Sequence, residues 1–502
     1  MVGLVDRAIL ATMQSRKILS RLGLSVTATI ALGVLLGTVF ARTGVGGIFA
    51  SSLFPSLFVF AIVAAKYPIP LMGFSIAWLA LCPFSWGVQT GLLFRLFADE
   101  TPVLLYLAVF PFLYLFTTRT WLRGFGALYV ILLGLISALA LSFVSPVELV
   151  AYRTFVSTYV LGAMWLVLIM QEAANSNTEA VGRFIVWITV ALAVLSVVER
   201  IFQRNPFVKN NPFVPLYISA ELVRVTEGVY RPYVSFFHPS EAGTFMALGT
   251  PFVVRHWLDS RSWVSALAVC TVAAGLFVNG TRGVWFGVFV TALFAALPVR
   301  RAWLWISATV PVLAAGAWIG YQAFRSTPLM TRLADPRDFY DRLETWRTAT
   351  RIFLAHPVLG VGFGNFTRAY LDYVQERSAF TADNVFVSTA VENGLIGLLA
   401  LVGSFIVMLT LLKRTRLKLY SRGLAVRASF VRCAELALIS YIVIGCFADI
   451  QEFRKVTQYM FILAGLGLAE RVRYCAPVAT AAPLQYEVER FVDSPKSTVS
   501  RG

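Results

Sequence analysis

Three side chains far apart in the chain carry the groups needed for a displacement at a phosphorylated centre. Asp383 opens DNVFVSTAVENGLIGL, an acid at the mouth of a long apolar run, placed to take a proton from an attacking hydroxyl. Arg231, in GVYRPYVSFFHPSEAGTFM, and Arg282, in the turn NGTRGVW between two apolar runs, offer guanidinium forks that match phosphate oxygens and would stabilise a departing anion. Asp-Asn before an apolar run is also a good helix N-cap, so Asp383 is read both ways, and the two roles are compatible. His238 follows Arg231 by seven residues and precedes Pro239, Ser240 and Glu241 at a helix entry. It reads as a capping residue or as a substrate contact.

The stretch 322–384 holds eight arginines, among them Arg342, Arg347 and Arg351, and no lysine, whereas the basic loop at 413–432 uses both. Arginine without lysine suits a surface that handles a diphosphate; pairing with the acids of the same stretch or with lipid head groups is the alternative. DPRDFYDRLETWRTATRIFLAHP starts with Asp335 as N-cap and Pro336 at the first helical position, and Pro357 stops it. Phe339, Leu343, Trp346, Thr350, Phe353 and Leu354 recur at helical spacing, which predicts an amphipathic helix lying along a membrane interface, aromatic face down. Arg342, Arg347 and Arg351 then point toward water or substrate and, with His356 and Asn384, are candidate substrate contacts. Gly360, Gly362 and Gly364 alternate in HPVLGVGFGNF, outside any strand-to-helix dinucleotide pattern; they predict a tight turn whose backbone approaches membrane or ligand.

The elements that must position these groups are membrane spans. The chain of 502 residues is 58% hydrophobic and only 14% charged, which excludes a soluble globular domain. Apolar runs long enough for a hydrocarbon core recur about fourteen times: 22–41, 47–65, 69–90, 102–117, 124–143, 152–171, 183–198, 243–257, 263–279, 283–299, 303–321, 385–412, 433–449 and 457–470. The expectation is an all-α polytopic membrane protein. The first run follows a 21-residue basic lead and is expected to be a retained signal anchor. Net charge is +17, but the basic residues crowd short loops such as 413–432, a positive-inside pattern rather than a nucleic-acid surface.

Threading the spans in turn puts both termini in the cytoplasm and two long loops outside. The organisation is then N-terminal spans 1–198, a first outer loop 199–242, central spans 243–321, a large outer loop 322–384, C-terminal spans 385–473 and a disordered cytoplasmic tail 474–502. No charged midplane residue or interrupted helix of the transporter kind is evident. The five cysteines form neither a disulfide framework nor a metal-ligand spacing, and the outer loops lack Asp-x-Asp, so no metal or other cofactor is expected.

RPYVSFFHPSEAG, NGTRGVW, RTATRIFLAHPVLGVGFGNF and DNVFVSTAVENGLIGL, covering about residues 220–400, together resemble the O-antigen ligase and O-antigen polymerase family of bacterial inner membranes. Ligases of that family carry His-Asn, nine residues, Gly, two residues, Gly; here Asn384, Gly394 and Gly397 keep the spacing and Asp383 replaces the histidine. The Asp-Asn form looks more like the exopolysaccharide polymerases of the superfamily. The resemblance implies a GT-C-like fold, an undecaprenyl-type polyprenyl-diphosphate-linked oligosaccharide as donor, a second such lipid or another glycan carrier as acceptor, and essential outer-face arginines, carried over to Arg231 and Arg282. A flippase and a chain-length regulator are admitted as partners. The competing readings are a ligase acting on lipid A core or another acceptor and, from a different class, a lipid-linked-sugar flippase or transporter.

Overall fold

The computed structural model describes residues 155–172, 178–203, 230–236, 238–296, 337–374, 382–448 and 454–475, with a few isolated positions elsewhere. The spans expected at 22–41, 47–65, 102–117 and 303–321, most of those at 69–90 and 124–143, the Asp335–Pro336 cap and the tail beyond 475 lie outside the described residues. All regular structure among the described residues is helical: α1 Leu161–Glu172 after a π-helical turn Val156–Val160, α2 Thr178–Phe202, α3 Pro239–Ser260, α4 Trp263–Asn279, α5 Arg282–Ala296, α6 Arg337–Ala355, α7 Phe366–Val374, α8 Val385–Ser421, α9 Ala425–Gly445 and α10 Arg454–Cys475. Of these, α2, α8 and α9 are long and apolar enough to cross a membrane.

The core is a bundle in which α10 packs against α1 and α9, α3 against α2, α4 and α9, and α5 against α9. Large side chains interlock there: Phe245 of α3 stacks on Tyr459 of α10 with ring centroids 3.9 Å apart, and Phe252 meets Phe430 of α9 edge-on. Close approach needs missing side chains. A Cβ on Gly275 of α4 would lie 2.7 Å from the Ala193 backbone of α2. Because the helices alternate in direction, the starts of α3, α5, α8 and α10 share one end of the bundle with the ends of α2, α4 and α9. This end is called the site end below.

α8 departs from the uninterrupted helix expected at 385–412. At Gly394 the backbone takes φ 62°, ψ −164°, a conformation open essentially to glycine, and the helix breaks one turn-pair in from its start. The turn after α6 fills the break. Val361 and Gly362 donate to the carbonyls of Val391 and Glu392, while Leu395 and Ile396 donate to those of Pro357 and Val358, at 2.8 to 3.4 Å. A Cβ on Gly394 would sit 2.2 Å from the Val358 carbonyl oxygen, and one on Gly360 2.4 Å from that of Glu392. The glycine-rich turn therefore makes its close backbone approach to the chain's own broken helix.

α6 is amphipathic as expected, but with a different stripe. Thr345, Thr348, Ala349 and Ile352 are buried, packed with Phe366, Tyr370, Ala382 and Val391, while Thr350 and Leu354 are exposed. Small and branched side chains let α6 sit close over α7 and the start of α8, and of the expected stripe Trp346 and Phe353 join them at the edge, partly buried.

Candidate functional site

Two strained or half-turned segments build the site end. The first is the 230–238 loop. Glu199, fully buried near the end of α2, accepts from the Tyr230 hydroxyl at 2.7 Å, the Asn205 amide at 3.1 Å, and the backbone N–H groups of Tyr233 and Val234 at 3.3 and 2.7 Å. These four donors hold Val234 at φ 52°, a left-handed backbone that a β-branched residue adopts only when its surroundings impose it. Burial first and the Glu199 charge second raise the phenol pKa of Tyr230 and Tyr233 above the ordinary tyrosine value, so both stay protonated and the Tyr230 hydroxyl remains a donor to Glu199. Lys455, buried at the start of α10, donates to the Ser235 carbonyl at 3.2 Å and lies over the Phe236 ring, 5.1 Å from its centroid.

So braced, the loop delivers Arg231 to the NGTRG turn. Its guanidinium donates to the Asn279 carbonyl at 3.4 Å and the Thr281 hydroxyl at 2.7 Å. Asn279 stitches the same contact from the other side, donating to the carbonyls of Pro232 and Pro239 at 3.1 and 2.7 Å and accepting from the Thr281 hydroxyl. Gly280, left-handed at φ 67°, ends α4, and Arg282 begins α5 with an exposed side chain. Arg231 and Arg282 thus flank one residue, Thr281. His238 is the N-cap of α3, its Nδ1 accepting from Ser240 N at 3.2 Å while the ring is exposed.

The second segment is 382–384. The cap of α8 is Asn384, whose side-chain oxygen accepts from Phe386 N and Val387 N at 2.9 and 3.2 Å. Asp383 is not the cap. It stands at φ 47°, partly exposed, with its carboxylate 3.3 Å from the Arg342 guanidinium. α6 holds this segment with residues one turn apart, Arg342 on Asp383 and Trp346, whose indole donates to the Ala382 carbonyl at 2.8 Å.

The two segments meet at the end of α9. Arg342 donates to the Phe447 carbonyl at 2.7 Å, and the Asn384 amide donates to the Cys446 carbonyl at 3.1 Å. On the other side of Phe447, a Cβ on Gly283 would lie 2.8 Å from the Phe447 Cβ, and Phe286 of α5 meets the Phe447 ring edge-on at 5.1 Å. Arg342, Asp383 and Asn384 thus meet at the end of α9, and the α5 start, which carries Arg282 between Thr281 (the Arg231 partner) and Gly283 (against Phe447), abuts the same helix end.

Arg347 and Arg351 do not join them. At 100° per residue they lie about 140° and 180° round α6 from Arg342, both exposed. His356 is exposed just past the end of α6, its carbonyl accepting from Gly360 N in the turn that fills the α8 break. Sequence reasoning missed Glu199, Lys455, Asn279 and Phe447. Glu199 and Lys455 sit within two residues of apolar runs ending at 198 and beginning at 457, and a charge at such an edge was their only signal.

Residues 266–402 match the family model described as O-antigen ligase. No curated protein matches the chain. The matched stretch takes in Asn279, Arg282, Arg342, Asp383 and Asn384, whereas Arg231, His238 and Lys455 fall outside it. Three of the four motifs, NGTRGVW, RTATRIFLAHPVLGVGFGNF and DNVFVSTAVENGLIGL, lie within the matched stretch, which is about a quarter of the chain, and RPYVSFFHPSEAG lies before it.

Proposed function

We propose that the protein is a polymerase of O-antigen or exopolysaccharide type, joining polyprenyl-diphosphate-linked oligosaccharide repeats on the periplasmic face of the bacterial inner membrane. The reading rests on one observation above others: four separated segments bring an acid and three arginines to one end of the bundle, Asp383 and Arg342 at the end of α9 and Arg231 and Arg282 at Thr281, one residue from the Gly283 that packs on Phe447. Arg231 and Arg282 bind the donor's diphosphate. The acceptor hydroxyl loses its proton to the Asp383 carboxylate as its oxygen attacks the anomeric carbon; the bond from that carbon to the diphosphate breaks, and polyprenyl diphosphate leaves with the electron pair. Attack from the face opposite the leaving group inverts the anomeric centre. Arg342 is a positioning residue for Asp383, and the two guanidiniums take the part that a metal ion plays elsewhere. His238 and Asn384 contact substrate at the rim; Arg347 and Arg351, turned away from Arg342, and His356, past the end of α6, reach only a glycan chain that extends beyond the reacting sugars.

The ligase alternative shares this chemistry and differs in acceptor; the description of the matched family favours it. Purified protein given a single lipid-linked repeat separates the two. A polymerase builds a ladder from that repeat alone, and a ligase makes product only when a second glycan acceptor is added. Absence of any new glycosidic bond in both arms, with translocation of the intact repeat in vesicles, would instead make it a transporter. The break in α8 resembles a transporter's discontinuous helix, but the backbone groups it releases bond to the 357–362 turn rather than facing a ligand.

A further inference from the structure

α4 and α5 run away from the turn at Gly280 and Thr281, and each packs mainly on other helices rather than on its neighbour. α3 closes the wedge between them from behind. The result is a groove of about 320 Å³, lined by side chains that include Val253, Val272, Ala273, Phe277, Trp285 and Phe289. Two of its lining side chains carry hydrogen-bonding groups, and both are already satisfied: the Thr250 hydroxyl donates to the Met246 carbonyl at 2.9 Å and the Trp285 indole to the Leu276 carbonyl at 2.8 Å. The side chains of the groove therefore offer an occupant apolar contact, and a sugar in it would lose its hydrogen bonds to water without replacement.

The upper end of the groove abuts the arginines. Trp285 stacks on Phe277, ring centroids 5.4 Å apart, and lies one helical turn from Arg282 on α5; Thr281, beside Arg282, carries the Arg231 contact. We propose that this groove seats the first isoprene units of the polyprenyl tail, directly below a diphosphate held by Arg282 and Arg231. The inference rests on the lipid-linked donor of the preceding section and adds where its chain lies. Charge complementarity selects the occupant. Two adjacent cations above a single slot suit a diphosphate on one chain, whereas a phospholipid brings one phosphodiester charge and two chains.

The test uses the full-length protein in nanodiscs and a polyprenyl diphosphate bearing a diazirine near the head of its tail. The expected result is crosslinking to peptides spanning 269–277 and 285–289, competed by unlabelled polyprenyl diphosphate and not by phosphatidylglycerol. Labelling elsewhere, or equal competition by phosphatidylglycerol, overturns the inference. Ala273→Trp, at an exposed lining position, fills the slot from its rim. It is expected to raise KM for a full-length donor about tenfold, the effect of withdrawing roughly two methylene groups from apolar surroundings. KM for a donor whose diphosphate carries only a methyl group, and kcat for both, should stay put; an equal rise for both donors also overturns the inference. Groove labelling without any glycan transfer would leave the lipid site standing and remove the polymerase reading, while transfer with labelling elsewhere would do the reverse.

Discussion

The two ends of the helix bundle use arginine in different ways. At the end away from the site, guanidiniums meet carboxylates: Arg255 holds Glu179 through two bonds of 2.8 and 3.1 Å, Arg416 and Arg432 share Glu435 at 2.8 Å each, and Arg427 lies 3.5 Å from the buried Glu470. At the site end, Arg231 donates to a carbonyl and a hydroxyl, and Arg342 divides its fork between the Phe447 carbonyl and Asp383. A carboxylate orients a guanidinium by charge as well as by hydrogen bond, whereas a carbonyl or hydroxyl oxygen orients it by the hydrogen bond alone. The first arrangement ties α2, α3, α8, α9 and α10 together. The second adds backbone and hydroxyl oxygens to the partners that fix each fork, and ties the 230–238 loop to the end of α4 and α6 to the end of α9.

Four substitutions or conditions break or sharpen that contrast. Asp383→Asn should lower transfer by about 10²–10⁴-fold, the span of a lost general base, with Asn384 still capping α8; an unchanged initial rate on a lipid-linked repeat would make Asp383 as structural as Glu179. Arg231→Lys should cost about 10²-fold in kcat with the thermal midpoint unmoved, because a point charge cannot reproduce the fork. Arg255→Met should do the opposite. Glu179 keeps 26% side-chain exposure, so the loss is discounted from the 3–5 kcal/mol of a fully buried pair to about 2 kcal/mol of stability. Activity per folded molecule should stay within about twofold, the ends being independent. A drop in kcat there without loss of stability would erase the distinction between the ends.

The smallest effect is alkaline. The folded pKa of Tyr230 is raised, so its contribution is full below the unfolded value near 10 and is lost as pH climbs beyond it. Unfolding midpoints should be flat to about pH 10 and fall by about 1 kcal/mol near pH 10.5; Tyr230→Phe should flatten that part of the fall.

The helices were legible because apolar length alone specifies them. α4 coincides with the expected 263–279; α3 and α9 start earlier than expected, at Pro239 and Ala425, where a cap or a polar shoulder extends the apolar run, and α5 is described as far as Ala296. The break at Gly394 was not legible: a glycine inside an apolar run is common, and what opens this one is the docking of a turn more than thirty residues earlier. The stripe of α6 that packs on α7 and α8, Ala349 and Ile352 with Thr345 and Thr348 beside them, was not legible either, because its partners come from later in the chain. Arg231, Arg282 and Asp383 could be chosen from residue type and motif. Their gathering at one end of the bundle could not, because a backbone carbonyl at a helix end carries no sequence signature.

The inserted turn at 357–362 also sets an order of assembly. As the ribosome releases the chain, the piece that completes α8 exists before α8 does, and residues 391–396 have nowhere else in the described fold to place those amides and carbonyls. The long rod and the loop ahead of it must mature as a single cooperative step. A chain cut between 375 and 381 should therefore be rescued by supplying both fragments together, and neither half should become protease-resistant alone.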